Sequence, residues 1–344
     1  MKHDSRTMEV ANFICRFGEH AVLIDFLQEI VAPVFIDDSH NRAFDDTSYF
    51  FYNVCILHLP AEGGTSVTVV AGRFIKDTNL KREQVFKKGT GLVADKAQLA
   101  SSPSSIFALI LDNHRLLYLK ETADGPSLAS FRSTTLSFLK SSRRNYLRAS
   151  FAAYKAQRKA DQSLEKLTIK DFSARVPQPT LEIIPLASET SIEEFIKQFE
   201  MLKKLQITLI KPNHEQDNND FFVQWREKQS QLNSSSSALV YANTKEGLDK
   251  QHAVDEIAKV AGVGNHKVTL RGVDESGDIL TGNNDKFSLK VGLGAVSRDV
   301  PAVTKTMYGA FVTLVGNGLV KIEETKAEVS DKLKHFFKSL PRRQ

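Results

Sequence analysis

Apolar residues in the first third of the chain form unbroken runs of the kind found in β-strands. Residues 50–59 and 66–75 are rich in aromatic and β-branched side chains, and a segment with one proline and two glycines separates them. This pattern predicts a β-hairpin. Residues 106–111 and 116–119 predict a second hairpin around a polar four-residue turn. Because these two runs are almost entirely apolar, we expect strands buried on both faces in the middle of a sheet.

The apolar period changes to that of a helix from residue 127 onward. Between residues 128 and 151, apolar side chains recur at intervals of three and four residues or their multiples. That spacing places them on one face of a helix. We expect two helices across residues 127–160, with a break at Ser141 and Ser142.

Prolines mark the ends of two predicted segments. Residues 19–31 have helical spacing and predict a helix that stops before Pro33. Pro177 and Pro179 follow the long helical region, and each proline fixes its own backbone and biases the preceding residue towards extended geometry. We therefore place the main boundary of the chain just before Pro177.

The second half of the chain alternates between strand and helix patterns. Ser191 and the acids after it are typical of a helix N-terminus. The other elements predicted in this half are strands at 181–186, 206–210 and 286–291, a hairpin of 266–273 with 278–280, a polar helix through Trp225, and helices at 245–261, 300–316 and 324–339.

Together these patterns predict an α+β protein in three parts. At 344 residues the chain exceeds one ordinary domain. Residues 1–126 are expected to form a β-rich N-terminal module, residues 127–176 a central basic helical segment, and residues 177–344 an α+β C-terminal module.

Composition narrows the class of protein. The chain is 41% hydrophobic and 25% charged, as in ordinary soluble globular proteins. Cys15 and Cys55 are too few for a disulfide framework and lie among apolar residues, which suits a reducing compartment. The charged N-terminus is not followed by an apolar run of signal-peptide length, and residues 310–320 cover only about half of a membrane span. We expect a soluble, cytoplasmic protein with no membrane insertion.

The net charge of the chain is concentrated in one segment. The whole protein carries +5, whereas residues 140–175 contain ten basic and three acidic residues and carry +7. The remainder of the chain is therefore slightly acidic, at −2. The location of the positive charge is more informative than its total.

Basic side chains in this segment have the spacing of one side of a helix. Arg144, Arg148, Lys155 and Lys159 are separated by four and seven residues. Bases in such a row can bind successive phosphates and release condensed counterions, which is the main sequence-independent source of nucleic-acid affinity. The residues expected to contact phosphates, with little base readout, are Arg143, Arg144, Arg148, Lys155, Arg158 and Lys159. A solvated helix face, or a surface that docks on an acidic protein, would have the same pattern.

A second group of residues has the chemistry of a metal-dependent nuclease. Acidic pairs surround His40 in a predicted loop, and carboxylates beside a histidine can bind Mg²⁺ or Mn²⁺. Acidic residues are also ordinary turn formers, and the spacing matches no known ligand pattern, so we predict no metal site. The candidates for this alternative are Asp37, Asp38, Asp45, Asp46 and His114.

Glycine motifs argue against nucleotide chemistry. The chain contains no GxGxxG and no GxxxxGK[ST] sequence, so dinucleotide redox chemistry and NTP hydrolysis by a P-loop are disfavoured. We predict no cofactor and leave the catalytic residues unassigned.

Several strand and turn segments resemble one group of bacterial proteins. The group consists of uncharacterised proteins encoded in mobile elements and phage-defence loci. Three segments are similar to its N-terminal region: Gly72-Arg73-Phe74, Ser104-Ser105-Ile106-Phe107 and Asn113-His114-Arg115-Leu116-Leu117-Tyr118. A later segment of the same group is similar to Leu181-Glu182-Ile183-Ile184-Pro185-Leu186. The resemblance implies a defence or mobile-element context and carries no catalytic residues.

The sequence thus leads to one hypothesis with two alternatives. We expect a nucleic-acid-binding component of a prokaryotic antiviral defence system, which binds the phosphate backbone of DNA without sequence preference. The alternatives are a metal-dependent nuclease effector of such a system, and an adaptor or inhibitor that uses the basic helix to bind a protein encoded in the same operon. A homodimer is also expected, because two-fold assemblies are the commonest oligomers.

Overall fold

Two antiparallel sheets and the helices packed on them form an α+β fold. The computed structural model describes residues 6–61, 65–213, 220–322 and 327–339. The strands are β1 (Arg6–Phe17), β2 (Ala21–Val22), β3 (Arg42–Phe44), β4 (Thr47–Pro60), β5 (Ser66–Lys87), β6 (Gly91–Ser101), β7 (Ser104–Ile110), β8 (Arg115–Lys120), β9 (Pro179–Pro185), β10 (Met201–Leu209), β11 (Ala238–Ala242), β12 (His266–Val273), β13 (Ile279–Asn283) and β14 (Lys290–Leu293).

The α-helices follow the same chain order. They are α1 (Ala32–Ile36), α2 (Leu128–Ala160), α3 (Ile169–Arg175), α4 (Glu189–Ile196), α5 (Asp220–Gln231), α6 (Lys250–Ala261), α7 (Val300–Gly316) and α8 (Ala327–Ser339). A 3₁₀ turn at Leu23–Phe26 and a π-helical turn at Leu27–Val31 precede α1.

The large sheet is assembled around β1. Its strands run in the order β14-β1-β8-β7-β5-β4-β3, and β9 pairs with the second half of β1 while β6 pairs with the outer part of β5. β9 and β14 come from beyond Pro177, so this sheet takes strands from both sides of that boundary. The division of the chain into three modules stays a prediction.

The central strands of the large sheet are buried on both faces. β7 and β8 have fully buried side chains along nearly their whole length, as their unbroken apolar sequences predict. α2 covers one face and α7 covers the other. Both predicted N-terminal hairpins, β4–β5 and β7–β8, are confirmed.

An aromatic cluster holds α2 on its face of the sheet. The ring of Phe131 lies 5.3 Å from that of Phe107, 5.5 Å from Phe74 and 5.6 Å from both Phe51 and Tyr118. Such tilted and edge-to-face pairs add to the free energy gained by burying the rings. The cluster therefore anchors the first turns of α2 to strands β4, β5, β7 and β8.

The smaller sheet has the order β11-β10-β12-β13 and packs against α6. Buried amides connect it to β1. The Asn213 side chain accepts a hydrogen bond from the Cys15 backbone N–H and donates one to the Phe13 carbonyl, both at 3.0 Å, and Asn12 donates to the Asn265 side chain at 3.0 Å. These bonds satisfy polar groups that would be costly to bury alone.

The helix predicted at residues 19–31 is wrong in both type and end point. The chain instead forms the short β2, the 3₁₀ turn and the π-helical turn, and it continues through Pro33 as α1. Pro33 lies in the first turn of α1, where the missing backbone N–H removes no intrahelical hydrogen bond. A proline therefore marks a helix start here, not a helix end.

Two details of the helix predictions are also wrong. α2 is one continuous helix without a break at Ser141 and Ser142, because the Ser142 hydroxyl donates to the Ile30 carbonyl at 2.9 Å and is buried against the body. The N-cap of α4 is Ser188, whose hydroxyl accepts from the backbone N–H of Ser191. Ser191 thus lies inside the first turn.

The elements predicted in the second half of the chain are otherwise found near their expected positions, and the boundaries of α7 match the prediction closely. The last predicted strand, at 286–291, is present but shifted towards its C-terminus, as β14. Residues 62–64 of the first predicted turn, 214–219 of the polar helix and 324–326 of the last helix lie outside the described residues.

One large feature of the fold was not predicted. The outer part of β5 and the whole of β6 form a two-stranded ribbon that continues beyond the sheet, since β4 ends its pairing at Thr78 and β7 ends its pairing at Ile75. We call residues 79–87 and 91–100 the arm.

Truncating the centre of the aromatic cluster should destabilise the fold. We expect Phe131→Ala to lower the free energy of unfolding by about 3–5 kcal/mol, because it leaves a cavity at a fully buried site. Phe44→Ala removes a ring that is 69% exposed and should change stability by no more than about 0.5 kcal/mol. Urea unfolding followed by circular dichroism measures both, and equal effects would contradict the central role of Phe131.

Candidate nucleic-acid interface

The predicted phosphate-binding residues all lie on α2, a helix of 33 residues. Ser127 caps its N-terminus by accepting a hydrogen bond from the backbone N–H of Ser130 at 3.2 Å. Arg158 and Lys159 lie in its last turn, where positive charge interacts favourably with the helix dipole. The helix contains eight basic residues and no acidic one.

The C-terminal half of α2 forms a helical hairpin with α3. The ring of Phe172 on α3 lies 5.6 Å from that of Phe151 and 5.5 Å from that of Tyr154. The Tyr154 hydroxyl donates to the Glu165 carbonyl at 2.6 Å. One side of this half is therefore packed, and the opposite side is exposed.

A row of basic residues lies along α2, next to the side that packs on α3. At 100° per residue, the row falls within an arc of about 100°, and at 1.5 Å per residue it extends for about 29 Å along the helix. We call this row the basic stripe; its members are Lys140, Arg144, Arg148, Lys155 and Lys159, and all five are exposed.

Little negative charge opposes the basic stripe. No carboxylate within the described ranges forms an ion pair with a stripe residue. Asp161 and Asp171, two of the three acids that follow α2 before Pro177, instead accept hydrogen bonds from Ser163 and Thr168, which lowers the pKa of both carboxyls. Lys155 is held over the ring of Phe151, with its Nζ 4.9 Å from the ring centre.

Two of the predicted phosphate contacts have other roles. Arg143 is buried, and its guanidinium donates to the Val176 carbonyl at 2.7 Å and to the Ser173 hydroxyl at 2.8 Å. It lies outside the arc of the stripe and fastens the end of α3 to α2, so the expectation that it contacts phosphate is corrected. Arg158 lies within the arc but is half-buried, and its Nε donates to the Leu164 carbonyl at 3.2 Å.

One stripe residue was not among the predicted contacts. Lys140 lies four residues before Arg144 and continues the row towards the body of the protein. The spacing was available in the sequence. What the sequence lacked was the continuity of α2, because a break at Ser141 and Ser142 would have turned Lys140 away from the row.

The candidate nuclease residues do not form one site. Asp46 pairs with Lys81, and Asp37 accepts the backbone N–H of Ser39 at 2.9 Å. His114 is buried in the β7–β8 turn.

Strand pairing places His114 far from Asp45 and Asp46. Thr47, next to Asp46, pairs with Thr78, whereas Ile110 before the His114 turn pairs with Val69. Val69 and Thr78 are nine residues apart on β5, which corresponds to a distance of about 30 Å along the strand. Within the described part of the chain, no three His, Cys, Asp or Glu residues are grouped as metal ligands.

A polar cleft of about 670 Å³ lies beside the first turn of α2. Its lining combines three bases with three acids: Arg6, Lys120 and Lys290 with Glu9, Glu121 and Asp285. Burial raises the pKa of the Glu9 carboxyl, and the two lysines oppose that shift. This mixture of charges contrasts with the uniform charge of the basic stripe, which begins some twelve residues further along the helix.

Comparison with known proteins does not add a relative. No protein-family model and no curated protein matches the chain. Among the described residues, every helix is too short or too polar to span a lipid bilayer. The feature that points to a function is therefore the geometry of α2 and its surroundings.

Neighbouring arginines of α2 should respond differently to the same substitution. Arg143→Met leaves the Val176 and Ser173 oxygens without their charged donor, and we expect it to lower the free energy of unfolding by about 2–3 kcal/mol. Arg144→Met removes an exposed side chain and should change it by at most about 0.5 kcal/mol. Urea titration of both variants tests the assignment, and a destabilised Arg144→Met with an unaffected Arg143→Met would reverse it.

Proposed function

We propose that the protein binds DNA through the basic stripe of α2, without sequence preference. The observation that supports this most directly is the stripe itself, five exposed bases in one arc of a helix that carries no acid. Each base can neutralise one phosphate and release its condensed counterion. The proposed contacts are Arg144, Arg148, Lys155 and Lys159, with Lys140 added, Arg158 at the edge and Arg143 left out.

The dimensions of the stripe suit a nucleic-acid backbone. Phosphates on one strand of a duplex are spaced by about 3.4 Å along the axis, so a stripe of about 29 Å extends along about eight base pairs. Lysine and arginine on a rigid helix can contact the backbone along that length, whereas a base-reading surface needs side chains that reach into a groove. Binding should therefore be strong in low salt and insensitive to sequence.

The biological setting is the second part of the proposal. The resemblance of the strand segments to proteins of phage-defence loci supports a role in antiviral defence, in which sequence-independent binding would suit recognition of diverse invading DNA. An acidic protein is the competing ligand for the same stripe. Poly-glutamate, which has negative charge without phosphates, distinguishes the two ligands.

Charge reversal in the stripe should weaken binding to all sequences alike. We expect Arg144→Glu with Arg148→Glu to reduce affinity for unrelated 30-base-pair duplexes by at least about 10-fold in 100 mM salt. The slope of log K against log[salt] should become shallower by about 1.8, since two phosphate contacts are lost at about 0.9 each. Fluorescence anisotropy over a salt series measures both quantities, with single-stranded RNA and poly-glutamate as parallel ligands.

The matched control changes charge by the same amount on another surface. Lys228→Glu with Lys305→Glu alters exposed residues of α5 and α7 and should leave the salt slope unchanged. Equal losses in both double variants would show a general effect of net charge and contradict a local interface. Binding to poly-glutamate as tight as to DNA would favour the protein-partner alternative.

A further inference from the structure

The arm has two open edges. β6 and β7 share one line of pairing along β5, because Thr78 pairs with Ser101 and Ile75 with Ser104. Next to β7 that edge is covered by β8, but among the described residues β6 pairs only with β5. The arm thus extends away from the sheet as a ribbon of two strands.

Four large apolar side chains share one face of the arm, with Arg82 and Gln84 between them on β5. Leu80 pairs with Leu99, and Phe86 pairs with Leu92. Positions 80 and 86 are an even number of residues apart on β5, so all four side chains lie on the same face. The exposed fraction is 52% for Leu80, 66% for Leu99, 73% for Phe86 and 67% for Leu92.

An isolated ribbon of this kind is poorly suited to remain alone in water. Two strands without further support are marginally stable, and an unpaired edge is a template for another strand. An exposed group of large apolar side chains is typical of an interaction surface. One additional strand would pair the free edge of β6 and place its own side chains beside this apolar group.

The sequence of β6 is complementary to itself when it is reversed. Antiparallel pairing of two copies of β6 about the point between Asp95 and Lys96 opposes Leu92 to Leu99 of the second copy and Ala94 to Ala97. At the centre, Asp95 of each copy, which also pairs with Arg82 of its own copy, opposes Lys96 of the other. This register joins the apolar faces of both arms and places opposite charges in contact.

The irregularity in the arm makes this register possible. A two-fold axis perpendicular to a sheet keeps every residue on its own face, so opposed residues must share a face. Leu92 and Leu99 are seven residues apart and would lie on opposite faces of a regular strand. The pairing with β5 shifts between Ala94 and Ala97, and this shift brings Leu92 and Leu99 to the same face.

We propose that two copies of the protein pair through β6, with Leu92 opposite Leu99 and Asp95 opposite Lys96 across a two-fold axis. The occupant of the open edge is therefore a second copy of this chain. A symmetric interface of this kind closes on itself and uses the β6 edge of both copies. The proposal does not depend on nucleic-acid binding by α2.

A disulfide between copies tests the register. In a Cys55→Ser background, the double variant Leu92→Cys with Leu99→Cys should form a covalent dimer with diamide as oxidant. Directly opposed residues are close enough for a disulfide, whereas positions 92 and 99 of the same copy are separated by about 23 Å. Leu92→Cys alone and Leu99→Cys alone should stay monomeric on non-reducing gels. In the proposed register, position 92 of one copy lies far from position 92 of the other, and the same holds for position 99.

Association of the unmodified chain is the complementary measurement. Sedimentation equilibrium should give a mass near twice 38.4 kDa. Lys96→Asp places an acid opposite Asp95 in both central pairs and should weaken dimerisation by at least about 10-fold. Lys88→Asp makes the same change of charge in the turn of the arm and should leave dimerisation unchanged.

Three results would overturn the proposal. The first is a monomeric mass at concentrations of 50–100 μM, taken as roughly the range in which a weak interface is populated. The second is equal cross-linking of the single-cysteine and double-cysteine variants, and the third is a dimer that Lys96→Asp and Lys88→Asp affect alike. Circular dichroism of each variant confirms that the chain remains folded.

Discussion

The packing of the first half of α2 on the large sheet determines where the charge of the second half is displayed. Phe131 and Phe138 are buried among the aromatic rings of the sheet, and the hydroxyl of Ser142 is bonded to the Ile30 carbonyl. A helix turns by a fixed angle per residue, so these contacts also set the direction of every later side chain. The exposure of the basic stripe is thus a consequence of apolar burial some 10 to 20 residues earlier.

The hairpins β4–β5 and β7–β8 could be predicted from sequence because their patterns are local, whereas β1 was not predicted. β7 and β8 are unbroken apolar runs on either side of a polar turn, and such runs have few alternatives to a buried hairpin. The continuity of α2 could not be predicted in the same way. Two adjacent serines are typical of a break, and only a distant carbonyl, from Ile30, makes Ser142 favourable inside the helix.

Only part of the candidate interface could be predicted, because residue spacing is a local pattern and tertiary contacts are not. Spacing alone identified Arg144, Arg148, Lys155 and Lys159 as one row. Sequence could not separate Arg143 from its neighbour Arg144, because the difference lies in the tertiary contact with Val176 and Ser173. The arm was missed because residues 79–100 mix polar and apolar side chains, and a ribbon in solvent on both faces has no simple burial pattern.

The position of β1 in the large sheet has a consequence for biosynthesis. β1 is made before the other strands of its sheet, yet one of its edges is completed by β9 and β14, which follow about 170 and 280 residues later. At typical rates of translation that interval is on the order of tens of seconds. During it, an apolar strand has an open edge on the nascent chain, where non-native pairing can compete. The protein is therefore expected to complete its large sheet only after β14 has been made.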